Sequence, residues 1–436
     1  MHPLQCKTVF PVILFAAMLP AALAADRASL SDLEIPDISR RINAFTLDLL
    51  KQQAETVDQP ANLILSPQSI FHGLAMSYIA SGGATQKELQ EVFHFPQENE
   101  PLLNGLADLR RQVGASAGHE RIDVGIASSV WLDETYADFR QDYLNTVRRF
   151  FGSSLYRVRF EQRELVSDLI NEWVSASTHG RIQTSVGPGD FESPSQPGIV
   201  EGSGLVTVNA VYFKADWASQ FDKRATGQYL FHLDPQTTVQ TLMMHQRSLL
   251  RYAEDDQRAF LQLPYIDQVY SMYVILPKSI WPVGKLVDAL TIEAVMGLQG
   301  RASTRYVDVL LPKFEIRSHL CAKAILSDMG VESAFRRQMA DFDKMIIGNI
   351  KAFGVYLREV YHDAWINVRE EGAEAAAATS TIQFSFGCSA AAPPTPVPFH
   401  ADHPFLFIIV HNESRSILFA GWISDPQALA PADSRL

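Results

Sequence analysis

The chain has little cysteine for its 436 residues. Only Cys6, Cys321 and Cys388 are present, too few for the disulfide framework that stabilises small secreted domains. A hydrophobic core must therefore stabilise the fold, and a composition of 47% hydrophobic and 20% charged residues provides one. Cys321 falls in a helix-like stretch, residues 319–329, which predicts a buried thiol. Cys388 falls in a proline-bounded segment, which predicts an exposed thiol.

Positive charge is also scarce. The chain carries 37 lysines and arginines against 49 acidic residues, a formal net charge of −12. No basic cluster offsets this charge, which excludes nucleic acid as the main partner. Beyond the N-terminus no run reaches about 18 uncharged apolar residues, so we predict no membrane span.

Residues 1–24 form a separate unit. Lys7 supplies a positive start, residues 9–19 are apolar, and residues 22–24 (ALA) have the small-x-small pattern of a cleavage site. This pattern predicts a secretory signal peptide, followed by an N-terminal extension over residues 25–38. The mature protein is expected to be secreted, either outside the cell or, in a bacterium, into the periplasm.

Catalytic and metal-binding motifs are missing as well. No glycine-rich phosphate loop occurs, and His400, Asp402 and His403 lack the further ligands that a metal site needs. Residues 114–118 (GASAG) match the nucleophile-elbow pattern of a hydrolase. However, residues 106–113 before them read as an amphipathic helix rather than the buried strand that this chemistry requires. The sequence therefore predicts no enzyme, no metal and no cofactor.

Helical patterns dominate roughly the first 180 residues and strand patterns the remainder. Two helices are predicted over residues 39–50 and 70–80, and three buried strands over residues 205–213, 271–276 and 307–316. Residues 404–410 and 416–423 predict a hairpin, with a turn at residues 412–415. This distribution is typical of an α+β protein.

The segment from residue 360 to residue 398 is the most informative part of the chain. Residues 360–368 mix β-branched and aromatic side chains and predict a strand. An alanine-rich run follows directly and ends at four prolines, at positions 393, 394, 396 and 398. By composition alone, alanines behind glutamates also fit an exposed helix. The strand before the run and the prolines after it favour a long loop.

Six motifs occur in an order and spacing that resemble those of the serpin family. They are NLILSPQSI (62–70), NEWV with THGRI (171–174, 178–182), VNAVYFK with Trp217 and Phe221 (208–214), LPKF (311–314), EEGAEAAAAT (370–379) and DHPFLF (402–407). Any one of these motifs is weak evidence, whereas six in register are highly specific. The resemblance covers residues 39–426 and leaves residues 427–436 as a flexible C-terminal tail. It implies one α+β domain of about nine helices around three β-sheets, with an exposed reactive-centre loop over residues 370–398.

The resemblance also implies a mechanism, the suicide inhibition of a serine protease. The protease cleaves the loop as a substrate, and the loop then inserts into a central sheet as a new strand while the acyl-enzyme persists. The implied hinge consists of Glu370, Glu371, Gly372, Ala373, Glu374, Ala375, Ala376, Ala377, Ala378 and Thr379. The expected partner is the target protease, held covalently by an otherwise monomeric serpin with a metastable fold.

The hinge has a composition that suits insertion. Because side chains of a strand alternate between its two faces, Ala373, Ala375, Ala377 and Thr379 should face the core, and all four are small and uncharged. An unpaired charge at such a position would cost several kcal/mol to bury. The chain therefore reads as an inhibitor. The alternative is a non-inhibitory serpin that acts as a binding or carrier protein.

Further roles follow by resemblance alone. Four polar residues are implied to form a shutter beneath the central sheet, where strands must part: Ser66, Ser69, Asn209 and His362. Trp217 is implied to lie at the breach, where insertion begins, and Lys313 to pair with Glu370 at the base of the loop. Buried polar side chains are also common as ordinary core groups, but the shared register of these four favours the shutter.

The scissile bond has two possible positions. Counting from Gly372 at the spacing usual in inhibitory serpins places it at the Phe386–Gly387 bond, and an aromatic residue there suits the deep apolar pocket of a chymotrypsin-like protease. Counting back from Phe399 places it near the Cys388–Ser389 bond or the alanines at positions 390–392, which favours an elastase-like protease with a small pocket. We prefer the hinge count, because the far side of a loop can lengthen freely.

Overall fold

The computed structural model describes residues 35–55, 61–115, 121–135, 137–191, 203–280, 283–288, 290–348, 354–373 and 395–428. The predicted signal peptide and most of the N-terminal extension lie outside these residues. So do the reactive-centre loop from residue 374 to residue 394 and the C-terminal residues from 429 onward.

Nine α-helices fall within the described residues. They are α1 (Asp37–Glu55), α2 (Pro67–Ile79), α3 (Gly83–Phe93), α4 (Asn99–Ala115), α5 (Gln141–Thr146), α6 (Arg163–Ser177), α7 (Val283–Asp288), α8 (Ile292–Arg301) and α9 (Lys323–Asp328). Helix α2 begins slightly before its predicted start because Ser66 caps it. The Ser69 N–H donates a 3.3 Å hydrogen bond to Ser66 Oγ, and Pro67 occupies the first turn.

Seventeen strands fall within the same residues. They are β1 (Leu63–Leu65), β2 (Ile122–Asp133), β3 (Ala137–Phe139), β4 (Ser154–Val158), β5 (Ser203–Asp216), β6 (Gly227–His232), β7 (Thr238–Glu254), β8 (Arg258–Pro264), β9 (Tyr270–Pro277), β10 (Ser303–Pro312), β11 (Phe314–Cys321), β12 (Ile346–Gly348), β13 (Val355–Val368), β14 (Gly372–Ala373), β15 (Val397–His400), β16 (Phe405–His411) and β17 (Ile417–Ile423). They form three sheets of nine, six and two strands.

The six-stranded sheet, called the central sheet below, has the spatial order β11-β13-β14-β5-β2-β4. Strand β14 separates β13 from β5 at one end only. Along the rest of their length β13 and β5 pair directly and in parallel, from Val355 opposite Ser203 to Trp365 opposite Tyr212. A new strand between β5 and β13 would therefore have to replace this parallel pairing.

The nine-stranded sheet has the order β1-β17-β16-β9-β8-β7-β10-β15, with β6 paired to β7. The predicted C-terminal hairpin is confirmed, since β16 and β17 pair antiparallel from Phe405 opposite Ile423. Strands β3 and β12 form the third sheet. The predicted α+β class, with nine helices around three sheets in the described residues, is confirmed.

The central sheet is covered on both faces. Helix α2 packs under β5 and β2 in the main core, which includes Leu205, Phe213 and Val360. Helix α6 packs on the opposite face, where Val208 and Trp365 belong to a second cluster. Alternate residues of β5 and β13 thus enter two different cores, which explains why β5 reads as a nearly continuous apolar run.

Cys321 departs from its prediction. It is the last residue of β11, not part of a helix, and its side chain is partly exposed rather than buried. The helix predicted over residues 319–329 is reduced to α9. Residues 314–321 are extended because every one of them pairs antiparallel with β13, and this long-range pairing outweighs local helix propensity.

Candidate functional site

The first residues of the hinge already lie inside the central sheet. Gly372 pairs with Asp216 and Ala373 with Ala215, both on β5. Ala373 also pairs with Val368 on β13. All of these pairings are antiparallel, and Ala373 has no exposed surface. The hinge therefore enters the sheet at the end where β5 and β13 diverge.

Gly372 is required by the tight turn that leads from β13 into β14. Within this turn the Arg369 N–H donates to Gly372 O at 2.8 Å, and the Gly372 N–H donates to Arg369 O at 3.2 Å. Gly372 has a φ of +152°, and a Cβ at this position would lie 2.1 Å from Ala215 O. Both the backbone conformation and the close approach to β5 exclude a side chain.

Glu370 anchors the base of the loop. Its carboxylate lies 2.9 Å from Lys313 Nζ and accepts a 2.8 Å hydrogen bond from Thr226 Oγ1. Its carbonyl accepts from the Phe221 N–H at 2.9 Å. Burial acts to raise the pKa of Glu370, but the bonds from Lys313 and Thr226 outweigh it and hold the pKa below its usual value. The carboxylate is therefore charged at neutral pH.

Trp217 lies beside the same turn. Its ring stacks on Tyr265 with 4.3 Å between centroids, and its Nε1–H donates to Arg369 O at 2.9 Å. The backbone N–H of Trp217 donates to Glu371 O at 2.8 Å. Only 2% of the residue is exposed. The indole thus closes the end of the central sheet at which the hinge enters.

The four residues implied to form the shutter are fully buried between α2 and the central sheet. Ser66 and Ser69 lie at the start of α2, while Asn209 on β5 and His362 on β13 are register partners. The Ser66 N–H donates to His362 Nε2 at 3.0 Å, and Asn209 Nδ2 donates to Tyr361 O at 3.4 Å. The cluster therefore spans the junction between β5 and β13.

Few polar bonds hold this cluster together. Ser69 Oγ, Asn209 Oδ1 and His362 Nδ1 are buried and have no hydrogen-bond partner among the described residues. Burial lowers the pKa of His362 to about 4, so its ring is neutral at neutral pH. Because unpaired buried polar atoms are destabilising, the junction is weaker here than an apolar core would be.

Three contacts at these sites belong to none of the sequence motifs. Thr226 bonds to Glu370, and Lys223 forms an ion pair with Glu371 at the base of the loop. Gly73 of α2 packs against the shutter, since a Cβ there would lie 2.5 Å from Asn209 Oδ1. No sequence signal marks these residues, because their partners are far away along the chain.

The two ends of the predicted reactive-centre loop are anchored in different sheets. Ala373 ends the described part of the hinge, and Phe399 on β15 pairs in parallel with Val309 on β10 and is almost fully buried. Several predicted site residues lie outside the described part of the chain: Glu374, Ala375, Ala376, Ala377, Ala378, Thr379, Phe386, Gly387, Cys388 and Ser389.

The described residues contain neither a metal-binding cluster nor a membrane-spanning helix. Within them, no group of three or more histidine, cysteine or acidic side chains is arranged to hold a metal ion. No helix in that part of the chain is long and apolar enough to cross a membrane.

The chain is similar to proteins of a known family. The family model described as "Serpin (serine protease inhibitor)" matches residues 40–426. Serpin B13 of Homo sapiens is 31% identical over 398 residues, which cover 87% of this chain and 97% of Serpin B13. Leukocyte elastase inhibitor of Xenopus laevis is 30% identical over 397 residues, covering 89% and 100% of the two chains.

A solved structure of human thyroxine-binding globulin, complexed with its ligand, has the same fold. The TM-score is 0.76 at 23% identity, and the match covers 92% of this chain and all of the globulin chain. The chain therefore belongs to the serpin family, which the matching family model describes as serine protease inhibitors.

Proposed function

We propose that this serpin is a secreted suicide inhibitor of serine proteases. The observation that carries the proposal is the position of Gly372 and Ala373 between β5 and β13. A loop cut beyond the hinge could continue in the same line, with successive inserted residues bonding alternately to β5 and to β13. Ala375, Ala377 and Thr379 follow at alternate positions and are small enough to enter the core.

The proposed inhibition begins as ordinary proteolysis. The serine hydroxyl of the protease attacks the carbonyl carbon of Phe386, the Phe386–Gly387 peptide bond breaks, and the amine of Gly387 leaves with the proton. The new ester joins the hinge to the protease. Insertion of the hinge then displaces the parallel pairing of β5 with β13, and the shutter at Asn209 and His362 has to open for the new strand to pass.

The target class depends on the scissile bond. Cleavage after Phe386 supports a chymotrypsin-like target, whereas cleavage near the Cys388–Ser389 bond supports an elastase-like one. The Xenopus relative is named as an elastase inhibitor. An elastase-like protease is therefore tested alongside a chymotrypsin-like one. We infer a chymotrypsin-like target, because counting from Gly372 places the scissile bond after Phe386.

The test is incubation with chymotrypsin and, separately, with elastase. We expect one of them to yield a covalent complex that survives boiling in detergent, and mass spectrometry of the released C-terminal fragment to give the scissile bond. Cleavage in the loop without any complex would contradict the inhibitor proposal. Size-exclusion chromatography of the free protein should show a monomer.

The alternative is a non-inhibitory serpin that binds or carries a ligand. The fold shared with thyroxine-binding globulin, whose structure contains its ligand, supports this possibility. Heat resistance discriminates between the two functions, because insertion of a new strand adds hydrogen bonds and buried surface. A rise in melting temperature after loop cleavage supports the inhibitor, and an unchanged melting temperature supports the carrier.

Secretion is a separate part of the proposal. It is supported by the charged start, apolar run and small-x-small site of residues 1–24. N-terminal sequencing of the exported protein should begin at Ala25. Retention of the uncleaved chain inside the producing cell would contradict secretion and leave the inhibitor proposal standing.

A further inference from the structure

A second chemical cluster lies at the edge of the central sheet, outside the hinge and the shutter. Cys321 Sγ lies 3.7 Å from His319 Nε2, and His319 Nδ1 lies 3.1 Å from Asp363 Oδ1. The other oxygen of Asp363 accepts a 2.5 Å hydrogen bond from Ser185 Oγ. A sulfur, an imidazole, a carboxylate and a hydroxyl therefore form one continuous chain.

The fold holds each member of this cluster in place. His319 and Cys321 are two residues apart on β11 and share a face, and His319 is the register partner of Asp363 on β13. Ser185 belongs to the segment after α6, where its N–H donates to Asn171 Oδ1 of that helix at 2.8 Å. The cluster is thus built by two neighbouring strands and the segment that covers them.

One end of this chain of groups is buried and the other is partly exposed. Asp363 is fully buried, 14% of the His319 side chain is exposed, and Cys321 is partly exposed. The buried carboxylate fixes the imidazole, and Cys321 belongs to the partly exposed end of the cluster. This is the geometry in which a base activates a cysteine and a third group orients the base.

The electrostatics favour a charged imidazole beside the sulfur. Burial acts to lower the pKa of His319, but Asp363 and the sulfur of Cys321 raise it to about 10. Other charged groups face the cluster. Arg317 lies 3.9 Å from Asp363, and Glu359, whose pKa is raised by burial, interacts with His319. With both nitrogens protonated, His319 donates one hydrogen bond to Asp363 and one to the sulfur.

We propose that Cys321 is a reactive thiol and a modification site for small disulfides, activated by His319 and Asp363. The thiol proton is held on His319, and the Cys321 thiolate attacks one sulfur of a low-molecular-weight disulfide. The disulfide bond of the reagent breaks as the Cys321–S–S–R bond forms. Cys321 is oxidised, and the departing thiolate is reduced and takes a proton from water. This site does not depend on protease inhibition.

The test uses the full chain with Cys6→Ser and Cys388→Ser, which leaves Cys321 as its one thiol. The probe is the aromatic disulfide dithiobis(nitrobenzoate), whose release of coloured thiolate gives the rate, and mass spectrometry locates the adduct. We expect His319→Gln and Asp363→Asn to slow the reaction at least tenfold at pH 6. The matched control is His245→Gln, which breaks another histidine–aspartate pair, 2.7 Å from Asp308, and should leave the rate unchanged.

The pH dependence of the same single-cysteine chain is a second readout that needs no further substitution. An ordinary thiol, with a pKa of about 8.5, loses roughly 80-fold in rate between pH 8 and pH 6. We expect less than a tenfold loss for Cys321, because His319 contacts the reacting sulfur directly and can assist its attack. A loss close to that of an ordinary thiol, or a folded His319→Gln variant that reacts as fast as its parent, would overturn the proposal.

Discussion

The Ser66 N–H donates a 3.0 Å hydrogen bond to His362 Nε2 and so connects the start of α2 to the middle of β13. The bond requires an unprotonated Nε2, because a ring nitrogen that carries a proton cannot accept. Burial keeps the pKa of His362 near 4 and satisfies this requirement at neutral pH. The position of β13 over α2 is therefore sensitive to acid.

His362 should make the fold less stable below neutral pH. Its folded-state pKa of about 4 is lower than the unfolded value of 6.5, so its contribution is complete above pH 6.5 and is lost as the pH falls toward 4. Between pH 7 and pH 5 this loss amounts to about 2 kcal/mol. His362→Gln, whose amide oxygen can still accept from Ser66, should lose less stability over that interval.

Urea unfolding at pH 7 and pH 5 measures this difference. His179→Gln is the control, because the His179 side chain is 60% exposed and the variant should retain the wild-type loss. An equal loss in wild type and His362→Gln would show that other groups, such as buried His72, whose pKa is also about 4, control the acid sensitivity.

Lys313→Met should weaken the base of the loop. The substitution leaves the Glu370 carboxylate, whose side chain is only 6% exposed, without its cation. Removal of one partner from a buried ion pair costs about 3–5 kcal/mol, and partial solvation of Lys313 reduces this to about 1–2 kcal/mol. Thermal unfolding provides the measurement. Lys223→Met, at the exposed partner of Glu371, should have little effect; equal losses in both variants would contradict the anchoring role of Glu370.

Gly372→Ala should expel the start of the hinge from the central sheet. The new Cβ would collide with Ala215 O, and the positive φ is strained for alanine. Together these effects should destabilise the turn by at least about 1–3 kcal/mol. Hydrogen exchange at Ala373 should become faster. Gly114→Ala is the matched control, since a Cβ at this helical position meets nothing within 4 Å and should be neutral or slightly stabilising. Unchanged protection of Ala373 in Gly372→Ala would refute this account of the turn.

Ala373→Arg tests the hinge as an inserting strand, and it depends on the proposed inhibitory function. Ala373 has no exposed surface, so a guanidinium there must be buried unpaired or keep the hinge out of the sheet. We expect the variant to be cleaved without forming a detergent-stable complex. Glu374→Arg, at the following position on the opposite face, should still form the complex. Complex formation by Ala373→Arg at the wild-type level would exclude insertion at this register.

Sequence patterns predicted those helices and strands whose structure is determined by residues close together in the chain. The start of α2 follows from a serine cap, a proline in the first turn and the apolar run behind them. The hairpin of β16 and β17 follows from two apolar runs around a short polar turn. In both cases the residues that determine the structure are neighbours along the chain.

The prediction for Cys321 was wrong for the opposite reason. Residues 319–329 contain good helix formers, but residues 314–321 pair with β13, whose residues lie 40 to 54 positions later in the chain. The same pairing brings His319 to Asp363. No periodicity within the segment could reveal this partner, because register between distant strands depends on the whole sheet.

The sequence by itself determined the family, the α+β class, the small uncharged residues expected to face the core in the hinge, and the absence of a catalytic motif. These are properties of residue type and spacing. The tertiary structure decided that Gly372 and Ala373 lie between β5 and β13, that Lys313 reaches Glu370, and that Ser66 bonds to His362. Each of these contacts joins residues that are far apart in the chain. Their geometry arises only when the sheets and helices pack together.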